Sequence, residues 1–185
     1  MTNPDVQRLF LAIWPNEGAR AALADVQKRF PSGTGRAVNS DNLHITLVFL
    51  GATHEEQRQC VEQVMARVNS PAFSFTLDQL GYWRKPQVLW AGSSVTSSPL
   101  QILAESVRDA AAQCGFRIEE RPFQGHLTLF RKVRKPLRNA PAMMPIPWAV
   151  NSFTLVESIT AESGVFYKVL RTWPLASGAA DSTSG

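Results

Sequence analysis

Length, composition and charge describe an ordinary globular protein. The 185 residues suit one compact domain or two small lobes, and 44% hydrophobic with 18% charged residues provide enough apolar material for a core without cross-links. The formal net charge of +4 would favour phosphate-rich ligands, although it fits a plain soluble surface equally well, and it excludes a histone-like binder. No apolar run approaches the length that spans a bilayer.

The N-terminal apolar stretch and the cysteines indicate a cytoplasmic protein. Residues 9–14 are apolar, but the stretch is short and lacks the cationic lead and cleavage site of a secretory signal. Cys60 and Cys114 fall on helical patterns, and we expect both to be small buried apolar residues in a reducing compartment. We expect the chain to act as a monomer with no membrane partner.

The first half of the chain alternates strand and helix patterns. The predicted elements are a buried strand at 9–14 stopped by Pro15, a helix capped by Asn16 and closed by 31–35, a strand at 43–50 ended by Gly51, a helix begun by a capping box at 53–56, and a half-buried strand at 73–77.

The second half repeats this alternation. Its predicted elements are a strand at 88–91, a helix begun by Ser98 and Pro99 with a second capping box and ended by Gly115, a strand at 126–130, a basic Pro-rich connection at 132–147, and a hairpin of strands at 153–159 and 165–172. We expect the small polar residues 176–185 to form a disordered tail.

The order of strand, helix and His-Thr strand occurs twice. Leu89 lies 80 residues after Leu9, His126 lies 82 residues after His44, and residues 75–77 return 78 residues later as 153–155. A duplicated unit, about 9–50 and 89–131, predicts an α+β fold within residues 1–175. We expect one bilobal domain, with two pseudo-symmetric lobes of antiparallel or mixed sheet, helices outside, and an active-site cleft between the lobes.

Two short motifs, 44–47 and 126–129, point to chemistry. Side chains alternate along a strand, so His44 and Thr46 share one face, as do His126 and Thr128. Across a cleft, one imidazole can act as a base and the other as an acid, because histidine titrates near neutrality. The threonine hydroxyls can donate to phosphate oxygens. This arrangement suits in-line displacement at a ribose cyclic phosphate, whose leaving oxygen needs a proton.

A single His-x-Thr motif would mean little, because threonine favours strands and a lone histidine is usually structural. The chain has three histidines, and two of them lie in matching motifs at the repeat offset. The third, His54, is interpreted as part of a helix start. The two motifs together therefore carry an argument that neither copy carries alone.

Nearly the whole chain, from Arg8 to Leu175, resembles the two-histidine phosphoesterases, specifically the bacterial RNA 2′,3′-cyclic phosphodiesterases, also named 2′–5′ RNA ligases. The resemblance implies a bilobal fold with a central cleft and no metal or cofactor, with His44 as proton donor and His126 as proton acceptor. One departure is Gly125, where the family has proline. The matching segments are 42–47, 49–51, 88–90, 121–123 and 126–129.

Several other residues are weaker candidates. Arg131 would reach the phosphate only if the strand alternation slipped, since odd positions there face the core. A basic run could follow an RNA backbone or be a solvated loop, and three aromatic residues could stack a base or belong to the core. The basic residues are Lys132, Arg134, Lys135 and Arg138, and the aromatic ones are Phe49, Trp83 and Tyr167.

The sequence therefore predicts an enzyme that hydrolyses RNA or nucleoside 2′,3′-cyclic phosphate ends to 2′-phosphomonoesters, with Thr46, Thr128 and Arg131 binding the substrate. A 2′–5′ RNA ligase or a 2′,5′-phosphodiesterase would use the same site. A non-catalytic RNA-binding module, relying on the basic run, is a different class. A zinc hydrolase is disfavoured, because no His, Asp, Glu or Cys cluster has ligand spacing.

Overall fold

A computed structural model of the chain describes residues 6–118, 121–134, 140–161 and 164–177. These residues form ten strands and three α-helices. The helices are α1 (Glu17–Lys28), α2 (Glu55–Met65) and α3 (Ser98–Ala112), and a short 3-10 helix covers Ser40–Asn42. The strands are β1 (Val6–Ile13), β2 (Arg36–Ala37), β3 (Ile45–His54), β4 (Phe73–Leu77), β5 (Gln79–Trp83), β6 (Val88–Gly92), β7 (His126–Arg131), β8 (Ile146–Val150), β9 (Ser152–Ala161) and β10 (Gly164–Pro174).

The strands form one large antiparallel sheet and one small one. The large sheet has the order β10-β9-β1-β3-β7-β6-β5, with β2 added beside β7, and the small sheet pairs β4 with β8. At the centre of the large sheet, β3 and β7 join through a single pair, Ile45 with Leu127. The sheet therefore divides into two lobes at this pair, which confirms the predicted two-lobed α+β fold.

The core lies on the helical face of the large sheet. The alternate residues Leu9, Leu11, Leu127 and Leu129 are buried there together with the apolar stripes of all three helices. Helix α1 begins where the sequence predicts, because the Asn16 side chain accepts a hydrogen bond from the Ala19 amide at 2.9 Å. The residues that alternate with this core lie on the opposite face, where Phe10, Ala12 and Val156 form a second, small apolar cluster.

The two lobes are related by an approximate two-fold axis. Ile45 and Leu127 are equivalent residues of the two motifs, 82 positions apart, and they pair with each other. Asp78 and Asn151, 73 positions apart, are the single residues between β4 and β5 and between β8 and β9. The same separation relates Phe75 to Trp148, which pair in the small sheet with ring centroids 5.2 Å apart.

This symmetry corrects one part of the predicted repeat. Residues 75–77 lie in β4 of the small sheet, whereas residues 153–155 lie in β9 beside β1. The two segments are therefore not equivalent, and the offset of 78 is wrong. A short alternating motif of this kind occurs in many half-buried strands, so its recurrence is not evidence that the two segments are equivalent copies of the repeat.

The second predicted strand does not end at Gly51. Gly51 has a positive φ of 75°, and the pairing with β1 shifts register there, so β3 continues through a bulge to His54. Helix α2 follows at once, with His54 as its N-cap, and the His54 amide donates to Gln57 Oε1 at 3.3 Å. His54 is therefore part of a helix start, as predicted, and the capping box lies one residue later than predicted.

Other boundaries differ more. β2, β5 and β8 were not predicted, and β8 occupies the end of the expected connection at 132–147. Pro147 is tolerated in β8 because this strand is an edge of a two-stranded sheet. The N-cap of α3 is Ser97 rather than Ser98. The final hairpin is confirmed by the pairing of β9 with β10, and residues 162–163 of its turn lie outside the described residues.

The predicted tail also begins too early. The Ala176 amide donates to the Ser70 carbonyl at 2.9 Å, and its carbonyl accepts from Ala72 at 2.8 Å, so this residue is anchored. Residues 178–185, the remainder of the predicted tail, lie outside the described residues.

The cysteine prediction is wrong. Cys60 in α2 and Cys114 just after α3 form a disulfide, with their Cα atoms 5.8 Å apart. The two residues are 54 positions apart, and their helical patterns gave no sign that α2 and α3 lie side by side. Among the described helices, none combines the length and apolar character needed to cross a membrane.

Candidate active site

The two His-Thr motifs meet at the centre of the large sheet. Antiparallel pairing of Ile45 with Leu127 places Thr46 beside His126, and His44 beside Thr128. These four residues are partly exposed on the face opposite the buried pair. His44 lies just before β3, yet its Nε2 is 3.1 Å from Thr46 Oγ1, so the two side chains share a face as the alternation predicts.

Each imidazole is oriented by a carbonyl two residues earlier. His44 Nδ1 donates to the Asn42 carbonyl at 2.7 Å, and His126 Nδ1 donates to the Gln124 carbonyl at 2.9 Å. A carbonyl oxygen can only accept, so Nδ1 carries the hydrogen in both rings. Nε2 is therefore the atom through which each histidine can exchange a proton with a ligand.

Gly125 precedes the second motif, where the family resemblance predicts proline. A Cβ atom at this position would lie 3.0 Å from Leu100 Cδ2 and 3.4 Å from Phe123 Cε1. The side chains of Leu100 and Phe123 thus crowd the space that a larger residue would need. Leu100 of α3 therefore packs against this segment, which lacks the rigid proline ring that the resemblance predicts.

His44 is enclosed by aromatic rings. Its ring centroid is 5.0 Å from that of Phe10, 5.0 Å from that of Trp14 in a stacked arrangement, and 5.1 Å from that of Tyr167 in an edge contact. Trp14 is itself held by a hydrogen bond from its Nε1 to the Asp41 carbonyl at 3.1 Å. Sequence reasoning missed Phe10 and Trp14, because both lie on a strand that reads as uniform core.

His126 has a more open environment. One ring, that of Trp83, contacts it at a centroid distance of 4.3 Å in an edge arrangement. Trp83 rests in turn on Trp90 at 5.3 Å, and the Trp90 indole occupies the space above Gly81, where an added Cβ would overlap it. Trp83, a candidate for base stacking, therefore packs against the second histidine.

Burial lowers the pKa of both histidines. The pKa of His44 falls to about 4, because desolvation outweighs the hydrogen bond to Asn42, and the charges of Arg131 and His126 lower it further. The pKa of His126 is also lowered by burial, opposed by the hydrogen bond to Gln124 and reinforced by Arg131. Both rings are therefore mainly neutral at pH 7 in the free protein.

Arg131 lies on the histidine side of the sheet because the strand alternation slips. Leu129 and Phe130 are both buried, and the pairing of β6 with β7 shifts register at this point. Arg131 is consequently exposed on the face that carries the histidines, and its charge acts on both His44 and His126. The slip that the sequence prediction required is present.

The structure describes some of the remaining candidates and not others. Lys132, with a positive φ of 57°, and Arg134 are exposed, whereas Lys135 and Arg138 lie outside the described residues. Phe49 is 68% exposed and lies 6.2 Å from Phe10, on the face that carries the histidines. In the described ranges, no group of three or more His, Cys, Asp or Glu side chains could hold a metal ion.

Comparison with known proteins assigns the family. The profile of the 2′-5′ RNA ligase superfamily matches residues 15–162. The RNA 2′,3′-cyclic phosphodiesterase of Escherichia coli is 35% identical over 170 residues, covering 91% of this chain and 97% of that protein. Its Thermotoga maritima counterpart is 33% identical over 175 residues, covering 88% and 92%. The apo crystal structure of E. coli LigT matches with a TM-score of 0.86 at 35% identity, covering 93% and 99%. The chain belongs to the 2′-5′ RNA ligase superfamily.

Proposed function

We propose that this protein is an RNA 2′,3′-cyclic phosphodiesterase, which hydrolyses the cyclic phosphate at an RNA or nucleoside end to a 2′-phosphomonoester. The observation that carries the proposal is the convergence of two carbonyl-oriented imidazoles and two hydroxyls on one face where the lobes meet. The relatives named RNA 2′,3′-cyclic phosphodiesterase support the same activity.

In the proposed reaction, His126 Nε2 accepts a proton from a water molecule, whose oxygen attacks the phosphorus. The bond between phosphorus and O3′ breaks, and His44 Nε2 donates a proton to O3′ as it leaves. Thr46, Thr128 and Arg131 bind the non-bridging oxygens. These groups supply an acid, a base and charge stabilisation, so we propose that no metal or cofactor takes part.

His44 has to take up a proton from solvent when the substrate binds. In the free protein the pKa of His44 is about 4, so its acid form is scarce at pH 7. A cyclic phosphate anion between the rings would favour the charged imidazole and would also neutralise the repulsion from Arg131. Substrate binding and protonation of His44 are therefore coupled in this mechanism.

We propose that residues 1–175 act as one bilobal unit and that the protein is monomeric. RNA ends or nucleoside cyclic phosphates would be its partners, with the basic run at 132–138 following the RNA and no membrane involved. A cytoplasmic location fits such substrates. The Cys60–Cys114 disulfide would be kept reduced there, so cell fractionation with thiols blocked at lysis, followed by a thiol count on the protein in each fraction, tests this location.

The test is the product of a nucleoside 2′,3′-cyclic phosphate. Hydrolysis to the 2′-monophosphate, identified against both isomers by chromatography, is the expected result. Formation of the 3′-monophosphate would overturn the assignment of the leaving oxygen. Binding without turnover would favour an RNA-binding module, and joining of a cyclic phosphate end to a 5′-hydroxyl end without hydrolysis would favour a ligase.

A further inference from the structure

Two arginines face each other at one end of the site. Arg36 of β2 pairs directly with Arg131 of β7, and both side chains are exposed. Directly opposed residues of an antiparallel pair project to the same face, where like charges destabilise the sheet. Within the described part of the chain, neither guanidinium has a carboxylate partner. Such a pair is suited to bind anions.

The two arginines lie at the same level on neighbouring strands. β6 occupies one edge of β7, so β2 and β3 both pair with the other edge. Because of the bulge opposite β6, Arg131 lies three strand steps beyond Leu127, about 10 Å along the strand, and its charge acts on both histidines. Arg36 lies at the same level on β2, along the edge of β7 that also carries β3. Arg131 and Arg36 therefore place two positive charges at the end of the site beyond the histidines.

The Arg36 guanidinium lies close to the opposite lobe. Its Nη2 would be 2.9 Å from a Cβ atom at Gly164, which begins β10 with φ of 135°. The neighbouring Val165 carbonyl accepts a hydrogen bond from Asn42 Nδ2 at 3.4 Å. The Arg36 guanidinium therefore lies beside the start of β10, where the positive φ of Gly164 favours glycine.

We propose that Arg36 binds the phosphodiester that precedes the terminal cyclic phosphate, and so favours RNA ends over mononucleotides. The inference rests on the proposed function. In the proposed reaction Arg131 binds the cyclic phosphate, which leaves Arg36 for the next anion of the chain, one nucleoside away. A guanidinium can bind a phosphate in bidentate fashion, and it keeps its charge throughout the accessible pH range.

The test compares two substrates with the same terminal nucleoside, a mononucleoside 2′,3′-cyclic phosphate and a dinucleotide ending in that cyclic phosphate. Arg36→Gln should lower kcat/KM for the dinucleotide about tenfold to a hundredfold, the value of a hydrogen bond to a charged group. Its kcat/KM for the mononucleotide should stay unchanged. Arg36→Lys should recover part of the loss, and Arg67→Gln, which removes an equal charge beyond α2, should affect neither substrate.

A third substrate isolates the contact. A dinucleotide with an uncharged methylphosphonate linkage should be a poorer substrate of the unaltered protein, and Arg36→Gln should lower its turnover no further. Equal losses on all three substrates, or no loss on the charged dinucleotide, would overturn the inference while leaving the proposed function intact. If the unaltered protein turns over none of them, the proposed function itself fails.

Discussion

The two histidines occupy equivalent places in the repeat but different surroundings. Both donate Nδ1–H to a carbonyl two residues earlier, so the two lobes present Nε2 in the same way. His44 is covered by three aromatic rings, and His126 contacts one. The backbone of the repeat thus fixes orientation, while side chains from outside the motifs set the solvent exposure of each ring.

The two imidazoles therefore share one orientation but differ in how strongly burial lowers their pKa. The pKa of His44 is lowered to about 4, mainly by burial, and the pKa of His126 is lowered by the same cause. His44, the proposed acid, is mainly neutral in the free protein, so its role depends on the proton that it takes up as the anionic substrate binds.

The largest effect is expected from removing either imidazole. His44→Ala and His126→Ala should each lower kcat on the order of 10²–10⁴-fold, the usual contribution of a positioned proton transfer. The double variant should be little worse than either single one, because the two groups act as a unit. Single-turnover kinetics on a nucleoside 2′,3′-cyclic phosphate measure this, and near-normal rates in both variants would remove the mechanism.

The same variants can distinguish acid from base. With a substrate whose leaving oxygen needs no proton, His44→Ala should recover much of its lost rate, because only the acid has become dispensable. His126→Ala should not recover, since water still lacks its base. The reverse pattern would exchange the two roles and leave the site in place.

The next effect concerns stability. Unfolded His44 binds a proton as pH falls below about 6.5, whereas the folded residue resists protonation until about pH 4. The free energy of unfolding should therefore decrease over this interval by about 3 kcal/mol from His44. Urea unfolding at pH 7 and pH 4.5 should show a smaller decrease in His44→Gln than in the unaltered protein.

His126→Gln is the matched comparison for this measurement. Between pH 7 and pH 4.5, His126→Gln should still lose more unfolding free energy than His44→Gln does. The reason is that one ring rather than three covers His126, so burial lowers its pKa less. Surface carboxylates such as Asp25 and Asp78, whose pKa is lowered by their hydrogen bonds, lose stabilisation as pH falls in all three proteins and cancel in the comparison. An equal response of the two variants would contradict the difference in burial.

A third effect should appear in the pH dependence of kcat/KM. Catalysis needs one ring protonated and the other neutral, and both pKa values lie below the ordinary value of histidine. The bell should therefore have its maximum below neutrality, and kcat/KM should fall up to tenfold per pH unit on the alkaline side. Initial rates at low substrate between pH 4 and 9 test this, and a profile that rises from pH 6 to 8 would contradict it.

A smaller effect should follow from opening the aromatic cover. Trp14→Leu should raise the pKa of His44 towards its ordinary value, because water would reach the ring. Trp83→Leu should do the same for His126 and leave His44 unchanged. Histidine ring resonances followed by NMR titration report each ring separately. A shift of both histidines in either variant would show that the two environments are not independent.

No effect is expected from chelation. If the two imidazoles are the acid and the base, excess chelator should leave hydrolysis of a cyclic nucleotide unchanged. Loss of activity that Zn²⁺ or Mg²⁺ restores would instead assign part of the chemistry to a metal. The two histidines would then no longer account for both proton transfers.

The motifs were predictable because the alternation of a strand assigns side chains to faces from the sequence alone. His44 with Thr46, and the buried neighbours of both motifs, follow from that rule. Arg131 did not follow, because its direction depends on a bulge opposite β6. The aromatic cover of His44 was also hidden, since Tyr167 comes from the far end of the chain.

Contacts between distant segments explain the other failures. The Cys60–Cys114 disulfide depends on how α2 packs on α3, which neither helical pattern encodes. β5 and β8 are short strands whose partners supply their stability, so their own residues gave little signal. Local rules therefore predicted single elements and their faces, and errors arose where one element is defined by another.

The strand order has a consequence for dividing the protein. Each lobe takes an outer strand from the other half of the chain, because β9 pairs with β1 and β5 pairs with β6. A cut in the turn between β5 and β6 would therefore strip both fragments of a neighbour and expose β1 and β6 as bare apolar edges, which invite aggregation. Although the sequence reads as a duplication, we expect neither half to fold when expressed alone. Co-expression of the two fragments should restore the protein, as in an exchange of strands between subunits.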